Sequence, residues 1–159
     1  MIKCELISKI FTFHSGASIF ISGIEPYTSA ENIFQQYDIK VILSVISNVP
    51  IPNMNNYGYK HYYYDLEDRP DANLTNILFC TTPIICSSVM NGENILVHCH
   101  AGVSRSVSVV IGFLKHWMRC HQNLFQPQIE SSDTEDILKF IRLRRACANP
   151  NPGFVKQLL

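Results

Sequence analysis

The chain has 159 residues, 47% of them hydrophobic, with 13 basic and 13 acidic side chains and a formal net charge of zero. That length points to a single domain spanning residues 1–159, and the apolar fraction suffices for a core, which excludes intrinsic disorder. The neutral balance excludes a global pull toward nucleic acid or a membrane surface, so any attraction for anions must be local.

In chain order, residues 11–13 and 19–22 read as a hairpin turning at His14, Ser15 and Gly16. Residues 28–37 read as a short helix, and residues 40–47, rich in Val and Ile, as a buried strand ended by Pro50 and Pro52. A second strand over 57–64 carries tyrosines at 57, 59, 62, 63 and 64, read as packing rather than as ligand contacts. Asn73 is placed to cap a helix running to Met90, with Leu74, Ile77, Leu78, Ile85 and Val89 facing inward. Pro83 lies inside it and is expected to kink or interrupt it, and Asn91-Gly92 closes it. Residues 95–98 form a central strand and 105–119 an apolar helix. Residues 121–131 make a long polar connection with no assigned role, and Ser132 to Glu135 has the form of a capping box opening a helix that ends near Arg145. Strands alternating with helices imply an α/β fold: one central mixed, mostly parallel sheet flanked by helices.

The cysteines stand at 4, 80, 86, 99, 120 and 147, with no C-x-x-C pair to suggest zinc or a thioredoxin-like site. Glu5 and Lys9 interrupt the start too early for a signal peptide, and the apolar run 107–114 is too short to span a bilayer. No lipidation motif marks either end. These features lead to the expectation of a reducing, intracellular setting, cytoplasmic or nuclear, without a membrane anchor. Cys80, Cys86 and Cys120 are candidates to trap an oxidised Cys99. The histidines, at 14, 61, 98, 100, 116 and 121, form no second cluster around His98 and His100, so neither a metal nor another cofactor is expected.

The most informative stretch runs from Ile95 to Ser106: an apolar strand, then His98 and Cys99, a small-residue loop, and Arg105 at the head of an apolar helix. A cysteine so placed meets backbone N–H groups and a helix N-terminus, which favour a thiolate and bind phosphate. Thiolate attack on a phosphomonoester would give a cysteinyl-phosphate and release an alcohol. The planar fork of Arg105 suits the equatorial oxygens of a transferring phosphoryl group. The N–H groups of His100, Ala101, Gly102, Val103, Ser104 and Arg105 would complete the cradle, with Ala101 and Gly102 letting the backbone approach.

The run from His98 to Ser106 resembles the active-site loop of dual-specificity protein phosphatases, within the cysteine-dependent tyrosine phosphatase superfamily. The resemblance extends to residues 19–23 and 39–45, which are similar to the family's opening strands, and to 145–159, which is similar to its C-terminal element. It implies a tyrosine-phosphatase-like fold with the phosphate loop between central strand and helix. It also implies Cys99 as nucleophile, His98 as a residue that orients the loop, and Ser106 as a hydroxyl that stabilises the leaving thiolate. For the general acid, the acidic loop after the second strand offers Asp65, Asp68 and Asp71; the resemblance favours Asp68, with Asn73-Leu74 opening the next helix. It makes Arg145 a possible second anion site, whereas Arg142, Arg144 and Arg145 by themselves read as charge complementing a helix C-terminus.

The expected substrates are phosphorylated proteins, on tyrosine and on serine or threonine. His100, Ala101 and Val103 stand where relatives acting on inositol lipids typically carry lysines, and relatives acting on RNA 5′ ends usually depart from Ala-Gly-Val-Ser. Phosphoinositide and RNA phosphatase activity are therefore alternatives, as is a catalytically weak phosphoprotein-binding module. Oligomeric state is not legible.

Overall fold

The structure, a computed structural model, describes residues 4–122 and 129–159. Its centre is a five-stranded sheet of order β1-β2-β5-β3-β4, formed by β1 (Ile7–Thr12), β2 (Ser18–Ser22), β3 (Ile39–Val45), β4 (Lys60–Tyr64) and β5 (Asn94–His98). Only β1 runs antiparallel, paired with β2 across the expected hairpin; the other neighbours are parallel. The helices are α1 (Ile33–Gln36), α2 (Leu74–Met90), α3 (Arg105–Cys120), α4 (Thr134–Arg142) and α5 (Pro152–Gln157).

Alternation along the strands divides the interior in two. Ile19, Ile21, Val41, Leu43, Val45, Ile95 and Val97 enter the larger core, which also takes apolar residues from α2, α3, α4 and α5. Ile7, Phe20, Ile42 and Leu96 enter the smaller one with Ile33 and Phe34 of α1. Toward the strand C-termini the smaller face turns polar. Ser22, Ser44 and His98 stand side by side there in the strand register, all fully buried. Beyond β1 the larger core is lined by Phe11, Phe13, Phe113 and Trp117, with ring centroids 4.7 to 5.9 Å apart, pairs worth about 0.5–1.5 kcal/mol each beyond area burial.

Several sequence expectations are corrected. The helix read over residues 28–37 is only α1, because Pro26 belongs to a preceding 3-10 turn and Asn32 caps at Gln35 N, 3.1 Å. The second strand begins at Lys60, since Met54–Tyr57 is a 3-10 turn closed by Gly58 at φ 88°. The capping box is not made: Asp133 is the N-cap of α4 without a side-chain bond, and Thr134 Oγ1 donates to Leu158 O, 2.8 Å. Instead Ser131 Oγ accepts from Asp133 N and donates to Asp136 Oδ2, 2.6 Å. Within the polar connection, residues 123–128 lie outside the described residues. Cys4 and Cys147, expected as free thiols, form a disulfide with Cα atoms 5.8 Å apart. Cys80 and Cys120 are exposed and Cys86 half-buried.

Helix α2 starts at Asn73, whose Oδ1 accepts from Asn76 N, 3.0 Å, and it continues through Pro83 without interruption. Pro83 is exposed, so solvent can satisfy the carbonyl left without its N–H partner. Pro83→Ala is expected to stabilise the fold by about 1–2 kcal/mol, the helix-interior cost of proline less its entropic benefit in the unfolded chain. A higher urea midpoint with unchanged slope would verify this.

Candidate active site

Residues 99–104 form an irregular loop between β5 and α3, and its small side chains do not determine its shape. The carbonyls do. Cys99 O accepts from His98 Nδ1 (3.1 Å), and His100 O from Ile24 N (3.0 Å). Arg145 donates from Nε to Gly102 O (2.7 Å) and from Nη2 to Ala101 O (3.4 Å). Val103 O accepts from Asn149 N (2.8 Å), and Ser104 O from Ser108 N (2.9 Å) and Ser108 Oγ (2.7 Å). In a trans peptide the carbonyl and the following N–H point in opposite directions. Every carbonyl from Cys99 to Ser104 turned outward therefore directs the N–H groups of His100 to Arg105 inward. Gly102 takes φ 67°, and a Cβ there would lie 2.6 Å from the backbone of Ser22 and 2.5 Å from Arg145, so the loop requires glycine at this point.

The inward groups meet Cys99. Its Sγ is buried, accepts from Gly102 N (3.3 Å) and lies 3.2 Å from Ser106 Oγ. Arg105 donates from Nη1 to Leu66 O (3.0 Å), while its buried Nε has no hydrogen-bond partner among the described residues. A buried guanidinium donor without a partner, at the head of the helix that follows a loop of inward N–H groups, suits a tetrahedral oxyanion. His100 and Ala101 are exposed at the mouth and Val103 is half-exposed. Ser104 Oγ accepts from Asn151 N (2.9 Å), a structural hydrogen bond rather than a catalytic one. Among the described residues no group of three or more His, Cys, Asp or Glu is placed to hold a metal.

The acidic loop lies alongside. Asp68 Oδ1 accepts from Asn151 Nδ2 (2.9 Å), so the residue that steadies Ser104 also holds this carboxyl. Asp71 is turned to Arg69, 3.0 Å away, whose guanidinium holds its carboxyl below the usual carboxylate range. Of the three candidate acids, Asp68 is thus tied to the phosphate loop and Asp71 is engaged elsewhere.

Residues 23–159 match the family described as "Dual specificity phosphatase, catalytic domain". The chain belongs to this family. It is 35% identical over 104 residues to the putative tyrosine phosphatase 123R of Invertebrate iridescent virus 6, covering 65% of each. It is 37% identical over 101 residues to the human dual specificity protein phosphatase 22, covering 64% of this chain and 48% of that one. The chain thus spans about half to two thirds of the length of these relatives. Among solved structures, the Yvh1 phosphatase domain of Chaetomium thermophilum superposes with TM-score 0.75 at 27% identity, over 96% of this chain and 92% of that one.

The structure brings together His98, Cys99, Arg105, Ser106 and, through Asn151, Asp68 of this dual specificity phosphatase domain. It corrects Arg145. That guanidinium is not offered to a second anion, because it is 3% exposed and its donors are taken by Gly102 O, Ala101 O, Glu5 O (3.0 Å) and Ser8 Oγ (3.1 Å). Burial lowers its pKa, opposed by attraction to Cys99 first and then to Glu25 and Glu5. Since arginine stays charged, Arg145 acts as a clamp on the loop and a fixed positive charge near the thiol. Asn151 and the partners of His98 escaped the sequence reading. Tyr27 Oη lies 3.0 Å and Ser44 Oγ 2.6 Å from His98 Nε2. The residues following Arg145 carried a family resemblance but no chemistry that singled out Asn151.

Arg145→Lys keeps the charge but cannot span two carbonyls. It should lower kcat on p-nitrophenyl phosphate, which carries one phosphate, by about 10- to 100-fold. A second anion site would instead show its loss only on doubly phosphorylated peptides. His98 supplies a pH dependence. Burial pushes its pKa down from 6.5 to about 4, so between these values the unfolded chain binds a proton that the folded one does not. Its contribution is fully present above the unfolded value and is lost as pH falls toward the folded one, by roughly 3 kcal/mol in all. Urea unfolding across this range should show that loss in wild type and not in His98→Asn.

Proposed function

We propose that the chain hydrolyses phosphomonoesters on proteins, on tyrosine and on serine or threonine, through a cysteinyl-phosphate. The observation that carries this reading is the Gly102 N–H on Cys99 Sγ (3.3 Å) within a loop whose carbonyls all turn outward, followed by Arg105 with a buried, unpartnered Nε. Cys99 attacks phosphorus and the P–O bond to the leaving group breaks, with Asp68 giving its proton to the departing oxygen. The Asp68 carboxylate then takes a proton from water as that water attacks phosphorus. The S–P bond breaks, and Ser106 Oγ, 3.2 Å from Sγ, donates to the thiolate that leaves. Arg105 and the N–H groups hold the equatorial oxygens in both steps.

The setting we propose is intracellular, cytoplasmic or nuclear, because a nucleophilic thiol is readily oxidised. Such a setting would reduce Cys4–Cys147, so the reading requires a fold that stands without that bond. No helix among the described residues is long and apolar enough to cross a membrane.

Turnover of p-nitrophenyl phosphate and of phosphotyrosyl and phosphothreonyl peptides, measured with EDTA and reductant, tests the proposal. Cys99→Ser should abolish turnover. Asp68→Ala should lower kcat on peptides by about 10²-fold or more and on p-nitrophenyl phosphate by less, since that leaving group needs little protonation. Phosphopeptide binding without turnover in wild type would instead support a binding module, and a strong preference for phosphoinositide or RNA 5′ phosphate would overturn the protein substrate.

A further inference from the structure

We propose that His61 and Ser44 are positioning residues for Cys99, acting through His98 by a chain of hydrogen bonds whose proton order is set at both ends by the backbone. Parallel register sets Ser44 on β3 beside His98 on β5, and His61 on β4, paired with Ile42 on the same face of the sheet, reaches Ser44 diagonally. At the outer end Met54 N donates to His61 Nδ1, 3.1 Å. His61 is held in place, since its N donates to Asn55 Oδ1 (3.0 Å) and its carbonyl accepts from Asn55 Nδ2 (3.2 Å). With Nδ1 occupied by a peptide N–H, the neutral ring carries its proton on Nε2, 2.7 Å from Ser44 Oγ. Desolvation lowers the pKa of His61, which favours that neutral form. Ser44 Oγ therefore accepts a hydrogen bond from His61 Nε2–H and donates its own to His98 Nε2, 2.6 Å away. His98 then has its proton on Nδ1 and donates to Cys99 O, 3.1 Å.

The reverse order is disfavoured at both ends. It would set a bare His98 Nδ1 against the Cys99 carbonyl, and a protonated His61 Nδ1 against the Met54 N–H. The Cys99 carbonyl, which only accepts, puts the His98 proton on Nδ1 and leaves Nε2 to accept, but the hydroxyls of Ser44 and Tyr27 could each be the donor to it. A group that must donate, placed behind Ser44, occupies a lone pair of its hydroxyl and favours donation forward. His61 is that group. Its effect reaches the reaction through one peptide: the Cys99 carbonyl held by His98 turns the His100 N–H toward the thiolate and the phosphoryl group. The consequence for turnover rests on the phosphatase reading; the proton order does not.

The test combines imidazole ¹⁵N spectra with the rate of Cys99 alkylation by iodoacetamide at a fixed, mildly acidic pH, and with thermal melting as the control for folding. Wild type should show His98 protonated on Nδ1. His61→Phe and Ser44→Ala should each shift His98 toward the Nε2–H form and slow alkylation about fivefold, the equivalent of one hydrogen bond of about 1 kcal/mol. His61→Gln, whose amide can still donate to Ser44, should restore both. The small change at Ser44 keeps the test decisive if His61→Phe does not fold. The proposal is overturned if wild-type His98 is protonated on Nε2, or if folded variants keep the wild-type tautomer or alkylation rate. It is also overturned if folded His61→Gln behaves as the phenylalanine variant. The expected alkylation pattern in a protein without turnover would sink the phosphatase reading and leave this one standing.

Discussion

The orientation of six successive peptides governs the rest of the site. From Cys99 to Ser104 each carbonyl is drawn outward, and each hold comes from a different part of the chain: His98 on β5, Ile24 beyond β2, Arg145 and Asn149 beyond α4, and Ser108 on α3. A loop of small residues has little preference of its own. One carbonyl turned inward would face a thiolate and an anionic ligand, and would withdraw the N–H meant for them. A buried polar group left unpaired costs about 1–3 kcal/mol, so the outward partners stabilise the fold as well as the cradle. The loop is therefore a product of the whole domain, and its anion affinity does not need net positive charge on the chain.

The same economy shapes the sheet. One face is aliphatic along its three central strands, β2, β5 and β3, and packs the larger group of helices. The other is apolar at its N-terminal end and polar at its C-terminal end, where Ser22, Ser44 and His98 are fully buried. Polar groups in such a place are tolerated when each is hydrogen-bonded. Ser22 Oγ donates to Gly23 O (2.8 Å), and Ser44 and His98 are joined to each other, to Tyr27 and to His61. Burial keeps His98 neutral, while the buried Arg145 stays cationic. A histidinium beside the thiol would add charge that depends on pH; a neutral, oriented imidazole and a permanently charged guanidinium do not.

What was legible in the sequence was what is local. Cys99, Arg105 and Ser106 lie within one strand–loop–helix unit; the pattern there marks Cys99 and Arg105, and the role proposed for Ser106 comes from the family resemblance. The hairpin, the parallel strands and the caps at Asn73 and Asn91 were visible for the same reason. What was not legible depends on contacts far along the chain. Arg145 at a helix end looks like a surface cation, and only its burial against Gly102, 43 residues away, shows a clamp. Asn151 meets Asp68 across 83 residues, and Ser44 meets His98 across 54. The apparent capping box at Ser132 is not made because the helix starts one residue later, with Asp133 as N-cap and Ser131 Oγ bonded to Asp133 N and Asp136.

Asp68 and Cys99, the proposed acid and nucleophile, sit on separate loops, and two independent ties fix their relation. Arg105 Nη1 holds Leu66 O, two residues before Asp68, and Asn151 holds Asp68 with its side chain and Ser104 with its backbone N–H. The first tie uses the residue that would bind phosphate, so a shift of Arg105 toward an anion would carry the acidic loop with it. The second uses a residue already anchored, because Asn151 Oδ1 accepts from Phe154 N (2.9 Å) at the head of α5 and Phe154 is fully buried. An acid on an exposed loop would otherwise lose its geometry with each fluctuation of that loop. Here α5, anchored through its core phenylalanine, ties Asp68, the proposed proton donor, to the loop of Cys99.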